Sequence, residues 1–141
     1  MKFLSLLILT LFMAKGCQGQ SSTEMDSTSI EYSAVSRGIY QKVLVQNQTA
    51  FVTKNRNEKP VEIKISNAQW KTLVAEFKKL NLEGIPNLKA PTEKRFYDGA
   101  AIANIKIIRQ GKTYETNGFD HGFPPAEIKK IVTILVAFTE E

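Results

Sequence analysis

The stretch VEIKISNAQWKTLVAEFKKL, residues 61–80, changes its period at Ser66. Up to Ile65 apolar and charged residues alternate, with Val61, Ile63 and Ile65 on one side and Glu62 and Lys64 on the other. A period of two belongs to a strand with one buried face. After Ser66, the residues Trp70, Leu73, Val74, Phe77 and Leu80 recur at helical spacing, while Lys71, Glu76, Lys78 and Lys79 take the opposite side. Between the two patterns, Ser66-Asn67-Ala68-Gln69 fits a capping box, in which Ser66 and Gln69 satisfy free amides at a helix start. A half-buried strand leading into a half-buried helix predicts an α+β domain with the helix folded back onto the sheet. Trp70 lies on the apolar stripe and reads as a core residue rather than a ligand platform.

Working towards the N-terminus, Thr49 to Lys54 reads as a strand after a turn at Gln46-Asn47-Gln48. Ile30 to Val45 reads as one extended segment, with Ile39, Val43 and Val45 on a common face, Gln41 as an exception, and a bend or bulge at Ser36-Arg37-Gly38. Towards the C-terminus, residues 81–98 form a long irregular stretch with Pro86 and Pro91, pinned by Leu82, Ile85 and Leu88. Ala100 to Arg109 and Lys112 to Gly118 read as a hairpin about a two-residue Gln110-Gly111 turn. Pro124-Pro125 opens a second helix, whose stripe is Ile128, Ile131, Val132, Leu135 and Val136. The expected architecture is a single antiparallel sheet of about five strands with two helices on one face, in the order βββα–ββα.

The hairpin register brings the polar residues together. With Arg109 opposite Lys112, counting outward sets Ala100 opposite His121 and Ala101 opposite Asp120, with Asp98 just before the first strand. Arg95, Asp98, Asp120 and His121 then gather at one sheet end, and a bulge near Gly118 would alter their facing but not the clustering. A histidine near an aspartate can serve as a general base, so a small hydrolase or lyase using His121 with Asp98 or Asp120 is one functional reading. The competing reading is a structural corner. Adjacent Asp120 and His121 point to opposite faces of extended chain, which prevents direct cooperation. No Gly-x-Ser-x-Gly elbow, glycine-rich phosphate loop or histidine pair at helical spacing is present, so neither a cofactor nor a metal is expected. One cysteine and one histidine exclude a structural zinc site, and one cysteine excludes an internal disulfide.

The first residues carry a different signal. Lys2 precedes the apolar run Phe3 to Ala14, too short to span a bilayer and of the length of a signal-peptide core. Ala14-Lys15-Gly16-Cys17 resembles the lipobox of bacterial lipoproteins, with Gly16 in place and with Ala14 and Lys15 where a leucine and a small residue are usual. The leader, the lysine-rich body and the polar tether resemble those of small Bacteroidota-type lipoproteins. The resemblance covers the first 17 residues. It implies cleavage before Cys17, acylation of Cys17 and a lipid anchor, with the outer membrane as the expected location. Ala14-x-Gly16 also suits ordinary signal peptidase, which would release a soluble periplasmic or secreted protein. Gln18 to Ser29 is rich in Ser, Thr and Gln and reads as a flexible tether. The expected organisation is thus a signal peptide at 1–16, a lipidated cysteine and tether at 17–29, and one domain at 30–141.

The formal charge is +5, but Lys2 and Lys15 precede the cleavage position and no acid does. The remaining basic residues are scattered, which argues against nucleic acid as a partner. The leading functional expectation is a non-enzymatic binding or interaction module, with a protein or polysaccharide partner in the envelope. An inhibitor presenting the 81–98 loop to an exported enzyme is a further alternative. Lipidation is directly measurable: the intact mass of the membrane-purified protein should carry a diacylglycerol at Cys17, and Cys17→Ser should leave the membrane fraction. An unmodified thiol on a soluble wild type would refute the anchor.

Overall fold

The computed structural model describes residues 25–141; the apolar run, Cys17 and residues 18–24 lie outside the described residues. One antiparallel sheet carries β1 (Thr28–Val35), β2 (Tyr40–Gln46), β3 (Thr49–Thr53), β4 (Val61–Lys64), β5 (Ile102–Arg109), β6 (Lys112–Glu115) and β7 (Phe119–Asp120). Its order is β4-β3-β2-β1-β5-β6, with β7 pairing β5 beyond the end of β6. Helix α1 (Asn67–Lys78) follows β4, and α2 (Lys129–Ala137) closes the domain. Among the described residues no helix is long and apolar enough to cross a membrane.

β1 is the centre of the molecule because it alternates throughout. Thr28, Ile30, Tyr32 and Ala34 are buried. Ile30 faces Val45 and Ile107, and Tyr32 faces Val43 and Ile105, so one sheet face is continuously apolar. Leu73, Val74 and Phe77 of α1 join the same core as Ile131, Val132 and Leu135 of α2, which places both helices on that face. Trp70 is half-buried and packs against this core. Gln41 keeps its place in the inward row opposite Ala34, and its Oε1 is buried without a hydrogen-bond partner among the described residues.

The capping box forms as its spacing predicts: Gln69 N–H donates to Ser66 Oγ at 3.1 Å, and Ser66 N–H donates to Gln69 Oε1 at 3.1 Å. The β2–β3 and β5–β6 turns are tight, with Asn47, Gln48, Gln110 and Gly111 all at positive φ. Paired left-handed residues match the twist of the flanking strands. Pro124 and Pro125 lead into a 3₁₀ turn, Ala126–Ile128, ahead of α2.

Three expectations need correction. Ser36-Arg37-Gly38 does not bend one strand. Ser36 N–H bonds Ile39 C=O at 2.8 Å, the chain reverses, and residues 30–45 become the β1–β2 hairpin, which leaves Ile39 exposed at the turn. The sheet therefore exceeds five strands. The second correction is the domain start. Met25 and Thr28 are buried, Thr28 pairs Arg109 and Ser29 pairs Ile108, so residues 25–29 belong to the domain rather than to the tether. A lone methionine in a Ser/Thr-rich run finds an apolar site that composition does not reveal. The third is that β6 stops at Glu115 rather than reaching Gly118.

The two sheet edges differ. The 3₁₀ turn Leu82–Asn87 covers β6, with Lys112 Nζ 2.9 Å from Glu83 Oε1 and Asn117 Nδ2 donating to Pro86 C=O at 3.2 Å. The opposite edge, β4, pairs with no further strand among the described residues, is only four residues long, and carries Glu62 and Lys64. Charge and brevity blunt such an edge.

Because Met25 is buried and β1 starts at Thr28, a chain beginning at Ile30 should be less stable than one beginning at Met25 by about 2–4 kcal/mol in urea unfolding, from one buried methionine and two lost strand pairs. Equal stabilities would return residues 25–29 to the tether.

Candidate functional site

β1, β3, β5 and β7 place the 36–39 turn, the 54–60 loop, the 92–101 segment and residues 119–124 at one end of the sheet. The described chain starts at the other end, where Gln110 N–H bonds Ser27 C=O. All four polar residues singled out by the hairpin register lie at the loop end, but they do not form one cluster.

A bulge resets their facing. Pairing runs from Arg109↔Lys112 to Lys106↔Glu115 as counted from the turn. Thr116 then inserts its side chain into the ladder: Ile105 N–H donates to Thr116 Oγ1 at 3.0 Å, while Thr116 N–H donates to Ile105 C=O at 3.0 Å. Pairing resumes one residue out of step, with Ala103↔Phe119 and Ile102↔Asp120. Gly118 sits at the break, where an added Cβ would lie 3.1 Å from Ile102 Cγ2. A one-residue slip exchanges the faces of everything beyond it. Asp120 therefore shares the outward side of Ile102, and His121, whose N–H bonds Ala101 C=O, turns toward the core. The straight count, which sets His121 opposite Ala100 and Asp120 opposite Ala101, is corrected accordingly.

Asp120 is fully buried and saturated. Its Oδ2 accepts from Thr92 Oγ1 at 2.5 Å and from Lys94 N–H at 2.6 Å. Its Oδ1 accepts from Arg95 N–H at 2.9 Å and from Arg95 Nη1 at 3.1 Å. Arg95 Nη1 also donates to Thr92 C=O at 2.8 Å, and the Arg95 side chain is 12% exposed. A carboxylate offers about four acceptor sites, and all four are taken. Burial alone would raise its pKa, but the hydrogen bonds from Thr92, from the Arg95 and Lys94 amides and from the Arg95 side chain outweigh it and hold the group at about 2. A carboxylate ionised down to about pH 2, with its acceptor sites engaged by Thr92, Lys94 and Arg95, clamps the 92–95 segment and is a weak base.

His121 faces elsewhere. Its Nδ1 lies 2.6 Å from the hydroxyl of Tyr32, which is buried in the core. Burial raises the Tyr32 pKa, so this hydroxyl keeps its proton. Burial lowers the His121 pKa below its ordinary 6.5. Asp98 is the left-handed residue (φ 58°) that ends the 3₁₀ turn Lys94–Tyr97, is exposed, and borders a hollow with Arg37, Gly38 and Ile39. Among the described residues no hydrogen bond or ion pair joins His121 to Asp98 or Asp120, and no three histidine, cysteine or acidic side chains converge on a point that could hold a metal. The histidine's partner is thus a tyrosine 89 residues away. No short-range sequence signal pointed to it, nor to Thr92.

The loop end also displays rings. Phe96 is 69% and Tyr97 72% exposed, and Phe123, Ile39, Ile102 and Val35 are exposed at the same end. Arg95 lies 4.3 Å over the Phe96 ring and Lys94 lies 4.0 Å over the Phe123 ring. Phe96 and Tyr97 carry a sequence signal of their own, as two adjacent aromatics in a polar, proline-bearing stretch. Comparison of the chain with protein-family models, with curated proteins and with solved structures finds no match.

The two titrations act in the same direction. His121 binds its proton more weakly folded than unfolded, so its contribution is complete above pH 6.5 and is lost as pH falls through the lower folded value. Asp120 contributes above its ordinary 3.8 and loses that contribution as pH falls towards 2. Unfolding free energy measured against pH should therefore fall in two limbs on acidification. NMR titration of the single histidine should give a pKa below 6.5, His121→Asn should remove only the upper limb, and Asp120→Asn should remove the lower one at a cost of about 3 kcal/mol at neutral pH. A histidine pKa above 6.5 would restore a carboxylate partner.

Proposed function

We propose that the protein is a non-enzymatic binding module of the bacterial envelope, carried on a lipid at Cys17, that grips a protein partner with the loop end of its sheet. The observation that carries this reading is the set of exposed rings Phe96, Tyr97 and Phe123: the first two follow the Lys94 and Arg95 amides that Asp120 binds, and Arg95 and Lys94 lie over Phe96 and Phe123. Aromatic residues and arginine are the side chains enriched in protein interfaces, and preordering them removes part of the entropic cost of docking. Placement supports the same reading. The described chain begins at the opposite end of β1, so an anchor on the N-terminal side would join the domain at the end away from the rings.

The inhibitor reading draws on the same surface, because Phe96 and Tyr97 close the 81–98 connector. It differs in the partner, an exported enzyme whose cleft receives the rings. The hydrolase reading through His121 is less supported, since neither Asp98 nor Asp120 orients the imidazole.

A photoreactive residue at position 97, activated in intact cells, should give one discrete protein adduct in the envelope fraction. The same residue at position 111, at the other end, should not, and Phe96→Ala with Lys94→Ala should cut the adduct at least about fivefold. No adduct at 97, equal adducts at both positions, or a polydisperse carbohydrate adduct would overturn the proposal.

A further inference from the structure

A second hollow lies beside His121, next to Phe123 but lined by other residues. One wall of this cleft is a single face of α2 and the 3₁₀ turn after it: Lys129, Val132, Thr133, Val136, Ala137 and Glu140. The other wall is His121, Gly122 and Pro124, over Tyr32. Its volume is about 310 Å³, enough for a small molecule and too little for a folded partner. Lys129 and Glu140 are eleven residues apart, which at the helical rise sets their backbones roughly 16 Å from each other. The cleft is therefore long, with a cation at one end, a carboxylate at the other and Val132, Val136 and Ala137 between. Among the described residues neither the Lys129 ammonium nor the Glu140 carboxylate has an ion-pair partner. His121 uses Nδ1 on Tyr32, and its Nε2 has no protein partner among the described residues.

We propose that this cleft binds a short free peptide of about four residues, with the peptide carboxylate at Lys129, its ammonium at Glu140 and a mid-chain amide at His121 Nε2. An extended residue advances about 3.3–3.6 Å, so four residues and the reach of the two side chains span the interval. Small apolar side chains fit the valine and alanine floor. Opposite charges at the two ends fix the direction of the chain, which a purely apolar groove would not do. The assignment uses no residue of the ring surface, so either site can fail without the other.

The test uses tetraalanine as the probe and the single histidine as the reporter. Adding tetraalanine to the purified protein should shift the His121 ring signals saturably. N-acetylated and C-amidated tetraalanine should each bind about three- to tenfold more weakly, the usual scale for losing one partly exposed charge-assisted contact. Glu140→Ala should weaken the free peptide but not the acetylated one, and Lys129→Ala should weaken the free peptide but not the amidated one. Both substitutions lie on the exposed surface, so unchanged melting temperatures serve as the folding control. The proposal is overturned by the absence of a saturable shift, by equal binding of free and blocked peptides, or by variants that weaken all three peptides alike. A response that appears only after residues 18–24 are deleted would assign the cleft to the chain's own N-terminal segment and would overturn it as well.

Discussion

A carboxylate removed from water at a sheet end must find donors for both oxygens, and Asp120 finds them in a segment more than twenty residues earlier in the chain. Everything at that end follows from the pairing. The backbone amides of Lys94 and Arg95 are fixed by Asp120, so the rings that follow them project from a held backbone rather than from a loose loop. Arg95 enters with its charge matched and only a small part of its side chain in solvent. Such a pair adds little net stability beyond a well-packed apolar alternative, because desolvation consumes most of the attraction. Its effect is specificity: a long irregular connector adopts one path across the sheet end because one carboxylate accepts from it at four points.

The alternation of extended chain separates Asp120 from His121, and the bulge at Thr116–Gly118 decides which of them takes which face. Asp120 is committed to the connector on one side, and His121 to Tyr32 on the other. The aspartate is ionised through the ordinary pH range, while the imidazole is biased to neutrality by burial. A neutral imidazole with one nitrogen engaged by a core hydroxyl is a polar contact with a defined orientation. Among the described residues no carboxylate bonds the ring to stabilise its imidazolium.

The βα switch at Ser66 was legible because a period of two and a period of 3.6 abut there with a capping box between them. The β5–β6 hairpin was legible as far as Glu115, because a tight turn determines the pairing of the residues next to it. Beyond Glu115 the register was not legible, since Thr116 replaces a backbone partner with its own hydroxyl and leaves no trace in the apolar pattern. The β1–β2 turn was hidden for a related reason. The same apolar alternation continues on both sides of Ser36-Arg37-Gly38, and a three-residue interruption of an alternating run has the appearance of a bulge. Of the candidate site, the shared sheet end of Arg95, Asp98, Asp120 and His121 could be counted from the turn. Their partners could not: Thr92 and Tyr32 meet Asp120 and His121 across 28 and 89 residues. Gln41, the exception in the β2 pattern, remains one, with a buried oxygen that finds no donor among the described residues.

The central position of β1 has a mechanical consequence. The described chain begins just before Thr28, and the exposed rings lie beyond Val35 at the strand's other end. A pull between an N-terminal attachment and a partner on those rings would pass from β1 into β5, the strand that the ring-bearing segment enters. Loaded in that direction, the β1–β5 ladder is strained in shear, so many hydrogen bonds must give way together rather than open one after another from an end. Survival under such a load is governed by the unfolding rate along that coordinate and not by equilibrium stability. The same small domain pulled across its strands, for instance at the short β4 edge, would unzip at far lower force.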